Sequence, residues 1–167
     1  LYQQPQDRQR RRLEMKTTLT ILLADRETIQ WGHIGDSRIY YFQNKKLITR
    51  TYDHSVPQML VAAGKLKEKQ IRGHADRNRL LRVMGTEWDG PQYEIAGPLR
   101  RTGGEAFLLC SDGFWEWVTE RQMRHALKKA GTPADWLQTM EKTLLKNGTG
   151  NHMDNYSAVA VFLQEGR

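Results

Sequence analysis

The sequence predicts an α+β fold, and three observations carry that expectation. Residues 17–49 alternate apolar and polar side chains and are broken by short polar turns, the pattern of an antiparallel meander. Ala106, Phe107, Leu108, Leu109 and Cys110 are apolar at every position, as in a strand buried on both faces. Residues 119–148 then switch to a helical period, with a capping residue at each start.

Size and composition narrow the class. At 167 residues, 38% hydrophobic and 27% charged, the chain has the length of one domain with a core of its own. Cys110 is the single cysteine, so no internal disulfide forms. Its place in the apolar strand reads as a packed thiol, and a cytoplasmic protein is expected. No stretch approaches the roughly 20 apolar residues of a membrane span, and no signal-peptide pattern is present. The formal charge of +7 is compatible with a nucleic acid, an acidic membrane or a phosphorylated partner.

Residues 1–14 are a polar lead-in crowded with Arg8, Arg10, Arg11 and Arg12. No aromatic interleaves with these arginines to stack on bases, so a solvated or unordered segment is expected, not a nucleic-acid arm. The chain begins at Leu1, not Met, and is expected to be a fragment of something longer. Strands follow over Thr17–Leu23, Thr28–Ile34, Ile39–Phe42 and Leu47–Thr49, with Gly35-Asp36-Ser37 between the second and third. Ser55 caps a short helix over Val56–Ala63 that stops at Gly64. Then comes a basic segment holding Lys65, Lys67, Lys69, Arg72, Arg77, Arg79 and Arg82 against Glu68 and Asp76. An insertion of this length in a compact β domain covers or lines a site, or is a solvated loop. Gln92–Ile95 is a further strand, leading through Gly97-Pro98 to the central run. Thr119 and Gln122 form a capping box for a helix burying Met123 and Leu127 and ending at Gly131. Thr132-Pro133 starts a second, with Trp136, Leu137, Met140 and Leu144 on one side. The five tryptophans read as packing, since their neighbours are apolar or acidic.

The chemistry lies in the breaks. Ser111-Asp112-Gly113 follows the buried strand, and alone it reads as a strand-end turn. Asp154-Asn155, 42 residues after Asp112, precedes another strand-like run, Tyr156–Leu163. Carboxylates at the edges of two strands can meet at one rim of a sheet, where they repel unless a cation separates them. Hard oxygen ligands suit Mg²⁺ or Mn²⁺. Asp36, beside Gly35, is either a tight turn or a third acidic ligand. His33, His54, His74, His125 and His152 show no H-x-x-x-H spacing, so zinc is not expected. His54, His74 and His152 read as surface residues of polar loops, or else as proton shuttles. No nucleophile elbow and no phosphate loop is present.

The order of six stretches resembles one family: MKTTL at 15–19, HIGDSRIYY at 33–41, DHSVPQMLVAAGKL at 53–66, NRLLRVMG at 78–85, LLCSDGFWEWV at 108–118 and DNYSAVAVF at 154–162. It is that of the PPM (type-2C) metal-dependent protein serine/threonine phosphatases, particularly the bacterial ones. The resemblance implies a single α+β domain over 1–167, two antiparallel β-sheets packed as a sandwich and flanked by antiparallel helices, incomplete at its N-terminus. It implies a cleft holding two Mn²⁺ or Mg²⁺ ions, with Asp112 and Asp154 as ligands. Asp36, with Asp112, would hold a third, weaker ion. Asn155, Gly113 and Gly35 would support these ligands. Residues 53–82 would be the family's flap, with His54, Ser55, Arg77 and Asn78 beside the substrate. The implied reaction is direct hydrolysis of phosphoserine and phosphothreonine by a metal-activated water, with no covalent intermediate. Implied partners are phosphorylated proteins, a serine/threonine kinase and its substrates, with no nucleic acid and no membrane. The chain departs from the family in its first third. The Asp-Gly-x-Gly-Gly segment whose Asp bridges the two metals is absent, and Lys16 stands where Gly is usual. An impaired phosphatase is the first expectation; a pseudophosphatase that binds phosphoproteins without turnover is the alternative.

Overall fold

The computed structural model describes residues 15–164. The lead-in expected over 1–14 lies outside them. Seven strands form two antiparallel sheets. The first, in the order β1-β2-β5, uses β1 (Leu19–Ala24), β2 (Thr28–Ile34) and β5 (Glu94–Arg100). The second, in the order β4-β3-β6-β7, uses β3 (Arg38–Gln43), β4 (Lys46–Arg50), β6 (Glu105–Cys110) and β7 (Ala158–Leu163). Among the described residues four α-helices, α1 (Val56–Ala62), α2 (Asp112–Trp115), α3 (Glu120–Lys129) and α4 (Pro133–Gly148), and a 3-10 helix over Glu68–Gly73 complete the order.

The sandwich of two antiparallel sheets that the resemblance implies is formed, and the meander read from periodicity is divided between its two sheets. The β1–β2 and β3–β4 hairpins part company at Gly35-Asp36-Ser37, which carries the chain from one sheet to the other. Gly35 takes φ +101 there, a left-handed conformation with the methyl of Thr18 packed where a Cβ would sit. Asp36 is therefore at a corner of the sandwich, not within a hairpin. The strand expected over Gln92–Ile95 also runs further, to Arg100. Gly97 (φ +96) lies where the β2–β5 register shifts, so the strand continues through the expected break as a bulge.

Two packed layers result. Between the sheets lie Ile29, Trp31, Ile39, Tyr41 and Phe107. Between the second sheet and helices α3 and α4 lie Tyr40, Phe42, Leu108, Met123, Leu127, Trp136, Met140 and Leu144. Strand β6 sends Phe107 to one layer and Leu108 to the other, both wholly buried, which accounts for its unbroken apolar run. Each such side chain contributes roughly 1.5–3 kcal/mol by leaving water. Both helix starts are capped as the sequence indicates: Thr119 accepts from Gln122 N and Thr132 accepts from Asp135 N.

The outer face of the first sheet behaves differently. The period-two stripe Leu19, Ile21 and Leu23 points away from the core and stays 42–60% exposed, joined by Ile95 at 59%. Gly32 keeps the floor of the resulting trough low. Among the described residues no helix covers this face, whereas the second sheet has α3 and α4.

Candidate metal centre

Three acidic breaks converge at one rim. Asp36 follows β2 at the corner between the sheets, and its backbone carbonyl accepts from Trp115 Nε1 at 2.9 Å. Trp115 closes α2, the helix that Asp112 opens, so one indole fixes the two acidic segments together. It is pinned from its other face by the guanidinium of Arg38, 3.5 Å from the ring centroid. Arg38 in turn makes a bidentate pair with Asp53 at 2.7 and 2.6 Å, both side chains almost fully buried.

Gly113 brings in the third acid. A Cβ on Gly113 would collide with the carbonyl oxygen of Asn155 and approach that of Asp154, so the start of α2 lies directly against Asp154-Asn155. Ser157 N donates to Ser111 Oγ and Ser111 N to the carbonyl of Ser157, each at 3.0 Å, locking the two loops. Gly113→Ala is accordingly expected to lower the melting temperature, since backbone must move to admit the methyl. A thermal melt within about 1 °C of the parent would refute that contact.

The electrostatics fit the convergence. Asp36 is buried, and burial together with the charges of Asp112 and Asp53 pushes its carboxyl up to about 7. Glu116, one helical turn after Asp112, is raised by burial and by Asp112 and Asp154, against the lowering pull of Arg77. The Arg77 guanidinium meets it at 2.6 Å. Sequence reasoning missed Glu116. The available signal was its i, i+4 spacing from Asp112, which puts both acids on one helical face. The three aspartate carboxylates do not draw within 4.8 Å of one another as a set.

The flap residues divide. Arg77 stands at the acidic rim and Asn78 is exposed beside it. Ser55 is buried, caps α1 and bridges to Leu80, and so serves to anchor the flap. His54 is also buried, not on the surface as its loop context predicted, and its ring stacks on His33 at 4.6 Å.

His33, His54 and Glu94 are the one group of three metal-ligating side chains drawn within 4.8 Å among the described residues. No short-range motif announces it, because His33 and Glu94 meet as cross-strand partners of β2 and β5. The hydrogen bonds argue for a different use. His54 Nδ1 accepts from Gly35 N–H at 3.2 Å, which leaves the ring proton on Nε2, 3.2 Å from Glu94 Oε1. A nitrogen carrying a proton offers a carboxylate a donor and offers a cation nothing. Burial holds the His54 pKa below its usual 6.5. Its folded-state value lies below the unfolded one, so its contribution to stability is intact above about pH 6.5 and is lost as pH falls. Asp36, raised in the fold, changes stability with the opposite sign over the same range. The test is thus a difference: the stability of the parent minus that of His54→Gln should shrink between pH 8 and pH 5. A constant difference would contradict a buried neutral imidazole.

Two sheets in a sandwich, a helix pair on one face and three aspartates at a common rim define an α+β sandwich with an acidic edge. No protein-family model matches the chain. It is 33% identical over 114 residues to the serine/threonine phosphatase stp of Listeria welshimeri, covering 68% of this chain and 44% of that protein. Among solved structures, the serine/threonine phosphatase PstP/Ppp of Mycobacterium tuberculosis superposes with a TM-score of 0.72 at 28% identity, over 88% of this chain and 60% of that one. The catalytic domain of PstP in complex with two manganese ions superposes with a TM-score of 0.68 at 25% identity, over 87% and 58%. The chain belongs to the PPM (type-2C) serine/threonine phosphatase family. It spans about half the length of the curated relatives it matches. No described helix is long and apolar enough to cross a membrane.

Proposed function

We propose that this chain carries the metal-binding rim of a protein serine/threonine phosphatase, with Asp112, Asp154 and Asp36 as ligands of Mn²⁺ or Mg²⁺. The observation that carries the reading is the convergence of three acidic segments: Trp115 holds the carbonyl of Asp36, Asp112 opens the same helix, and Gly113 packs against Asp154-Asn155. Burial and the charge of Asp112 raise the Asp36 carboxyl to about 7, in keeping with acids that gain from a cation. An all-oxygen donor set fits a hard divalent ion. Such an ion, when bound, lowers the pKa of water and neutralises phosphoryl charge. The chain's own residues orient it. Trp115 holds the Asp36 backbone, Gly113 lets Asp112 approach Asp154, and Asn155 and Gly35 shape the two loops. Arg77, more than a third exposed and tethered by Glu116, brings a guanidinium from the flap at 53–82 to meet a phosphoryl oxygen.

Partners on this reading are cytoplasmic phosphoproteins and the kinase that makes them.

The full product of the reading frame should hydrolyse p-nitrophenyl phosphate and a phosphothreonine peptide with Mn²⁺ and not without it, and Asp112→Asn should abolish the activity. A folded protein that binds the phosphopeptide with no turnover under either condition would replace this reading with the pseudophosphatase.

A further inference from the structure

The sequence nominates the flap as the surface for anions, but its arginines are largely neutralised. Arg72 pairs with Glu120 at 2.7 Å, Arg77 with Glu116 at 2.6 Å, and Arg82 lies 3.9 Å from Glu94. Lys65, Lys67, Lys69 and Arg79 of the flap have no ion pair among the described residues, but a closer gathering of such charge lines a groove of about 930 Å³ formed by α3 and α4. Arg121, Arg124 and Lys128 line one wall and Lys142 and Lys146 the other, with no acidic residue between them. The first three recur at i, i+3 and i+7, and Thr139, Lys142, Thr143 and Lys146 repeat that spacing on the facing helix. Each helix thus turns a complete stripe into the groove. None of these five cations forms an ion pair among the described residues.

Helix dipoles account for only part of this. Lys128 and Lys146 sit in last turns, where a cation is favoured. Arg121 and Arg124 sit in the first half of α3, at the positive end of its dipole, where a cation is disfavoured. Lys142 and Lys146 add a like-charge i, i+4 pair. A stripe that costs helix stability is explained by a ligand that needs it. Between the charges lie the hydroxyls of Thr139 and Thr143 and the amides of Gln122 and Asn147, suited to phosphoryl and carboxylate oxygens. No Phe, Tyr or Trp lines the groove as a platform for nucleic-acid bases, and no large apolar side chain is there to enter a bilayer.

The groove is aimed at the acidic rim. Helix α3 starts eight residues after Asp112, and α4 returns and ends six residues before Asp154. Asn147 Nδ2 donates to the carbonyl of Trp117 at 2.7 Å, and Met153 packs on Gly148, fastening the groove's near end to the loops that carry Asp112 and Asp154.

We propose that the α3–α4 groove docks an acidic, multiply phosphorylated segment of a protein whose next phosphorylated residue reaches the acidic rim. The choice of a phosphorylated occupant rests on the phosphatase reading. The groove's anion selectivity does not.

The test uses a fluorescent acidic peptide carrying two phosphothreonines, titrated with the full chain in EDTA so that no turnover intervenes. Arg124→Glu with Lys142→Glu should weaken binding by about tenfold or more. Arg121→Gln with Lys146→Gln should weaken it less, and Arg26→Gln, in the exposed turn between β1 and β2, should leave it unchanged. Thermal melts confirm that each variant is folded. The same peptide with Ala for phosphothreonine should bind several-fold more weakly. Indifference to both double substitutions, or equal binding of the Ala peptide, overturns the proposal. So does tighter binding of single-stranded oligothymidine or phosphatidylserine vesicles that is lost with the same charge reversal. Peptide binding that persists in a protein with no turnover upholds the groove while sinking the phosphatase reading.

Discussion

Asp53→Ala is expected to destabilise the protein by about 3–5 kcal/mol, because it strands a guanidinium that can neither lose its charge nor reach water. Arg38 is 2% exposed and held by both oxygens of Asp53. Burial works against its charge, while Asp53 and the Tyr40 hydroxyl sustain it, leaving its pKa above the usual arginine value. Arg50, partly buried, lies 3.8 Å from the same carboxylate but keeps Glu68 as a partner, so the main loss falls on Arg38. The effect extends beyond stability. Arg38 lies over Trp115, whose indole N–H holds the Asp36 carbonyl, so the substitution should also loosen the acidic rim. Arg38→Met with Asp53→Leu should recover much of the lost stability, since a buried pair replaced by apolar groups of like volume is often near neutral. Urea unfolding of the two single variants and the double variant measures the cycle. A cost below about 1 kcal/mol for Asp53→Ala would mean that water reaches this pair.

How much of this could be read from the chain depends on the range of the interaction. The helices were legible because their signals are local. Thr119 with Gln122 and Thr132 with Asp135 cap within one turn, and the apolar stripes of Met123, Leu127, Trp136, Met140 and Leu144 point to the layer they fill. Strand β6 was legible from composition alone. The division into two sheets followed from the family resemblance and not from periodicity, because hairpins within a sheet and a crossing between sheets use the same short polar turn. The difference at Gly35-Asp36-Ser37 lies in which strands lie alongside afterwards. The period of two in Leu19, Ile21 and Leu23 was visible, but a period names a face without saying what covers it.

The same limit governs the site. Asp36, Asp112 and Asp154 stand out in the sequence because each interrupts a strand pattern, where a carboxylate is out of place. Glu116 was overlooked because an acid on a helix normally needs no explanation. His33, His54 and Glu94 come from three elements, and the sheet register that joins two of them is a property of the fold. The flap's charge misled in the opposite direction. Its arginines look free in sequence, and their acidic partners Glu94, Glu116 and Glu120 are supplied from 12 to 48 residues away.

Asp112→Asn is expected to move activity and stability in opposite directions, which separates a metal site from an ordinary structural acid. In the ion-free protein Asp112 adds to the field that raises Asp36, so removing its charge relieves repulsion at the rim. The melting temperature in EDTA should therefore stay the same or rise. With Mn²⁺ the order reverses. The parent gains stability by mass action, about 2.7 kcal/mol at a hundred times the dissociation constant, and the variant loses most of that gain. Activity should fall by more than the roughly 10–100-fold that an outer-shell change costs, because a ligand itself is gone. Asp154→Asn should repeat the pattern. Asp53→Ala should not, since it lowers stability with or without the ion. Melting each variant in EDTA and in Mn²⁺ gives a four-way comparison that needs no substrate. Should Asp112→Asn destabilise the protein equally in both, the Asp112 carboxylate would be a structural cap of α2, and the metal would have to be held elsewhere.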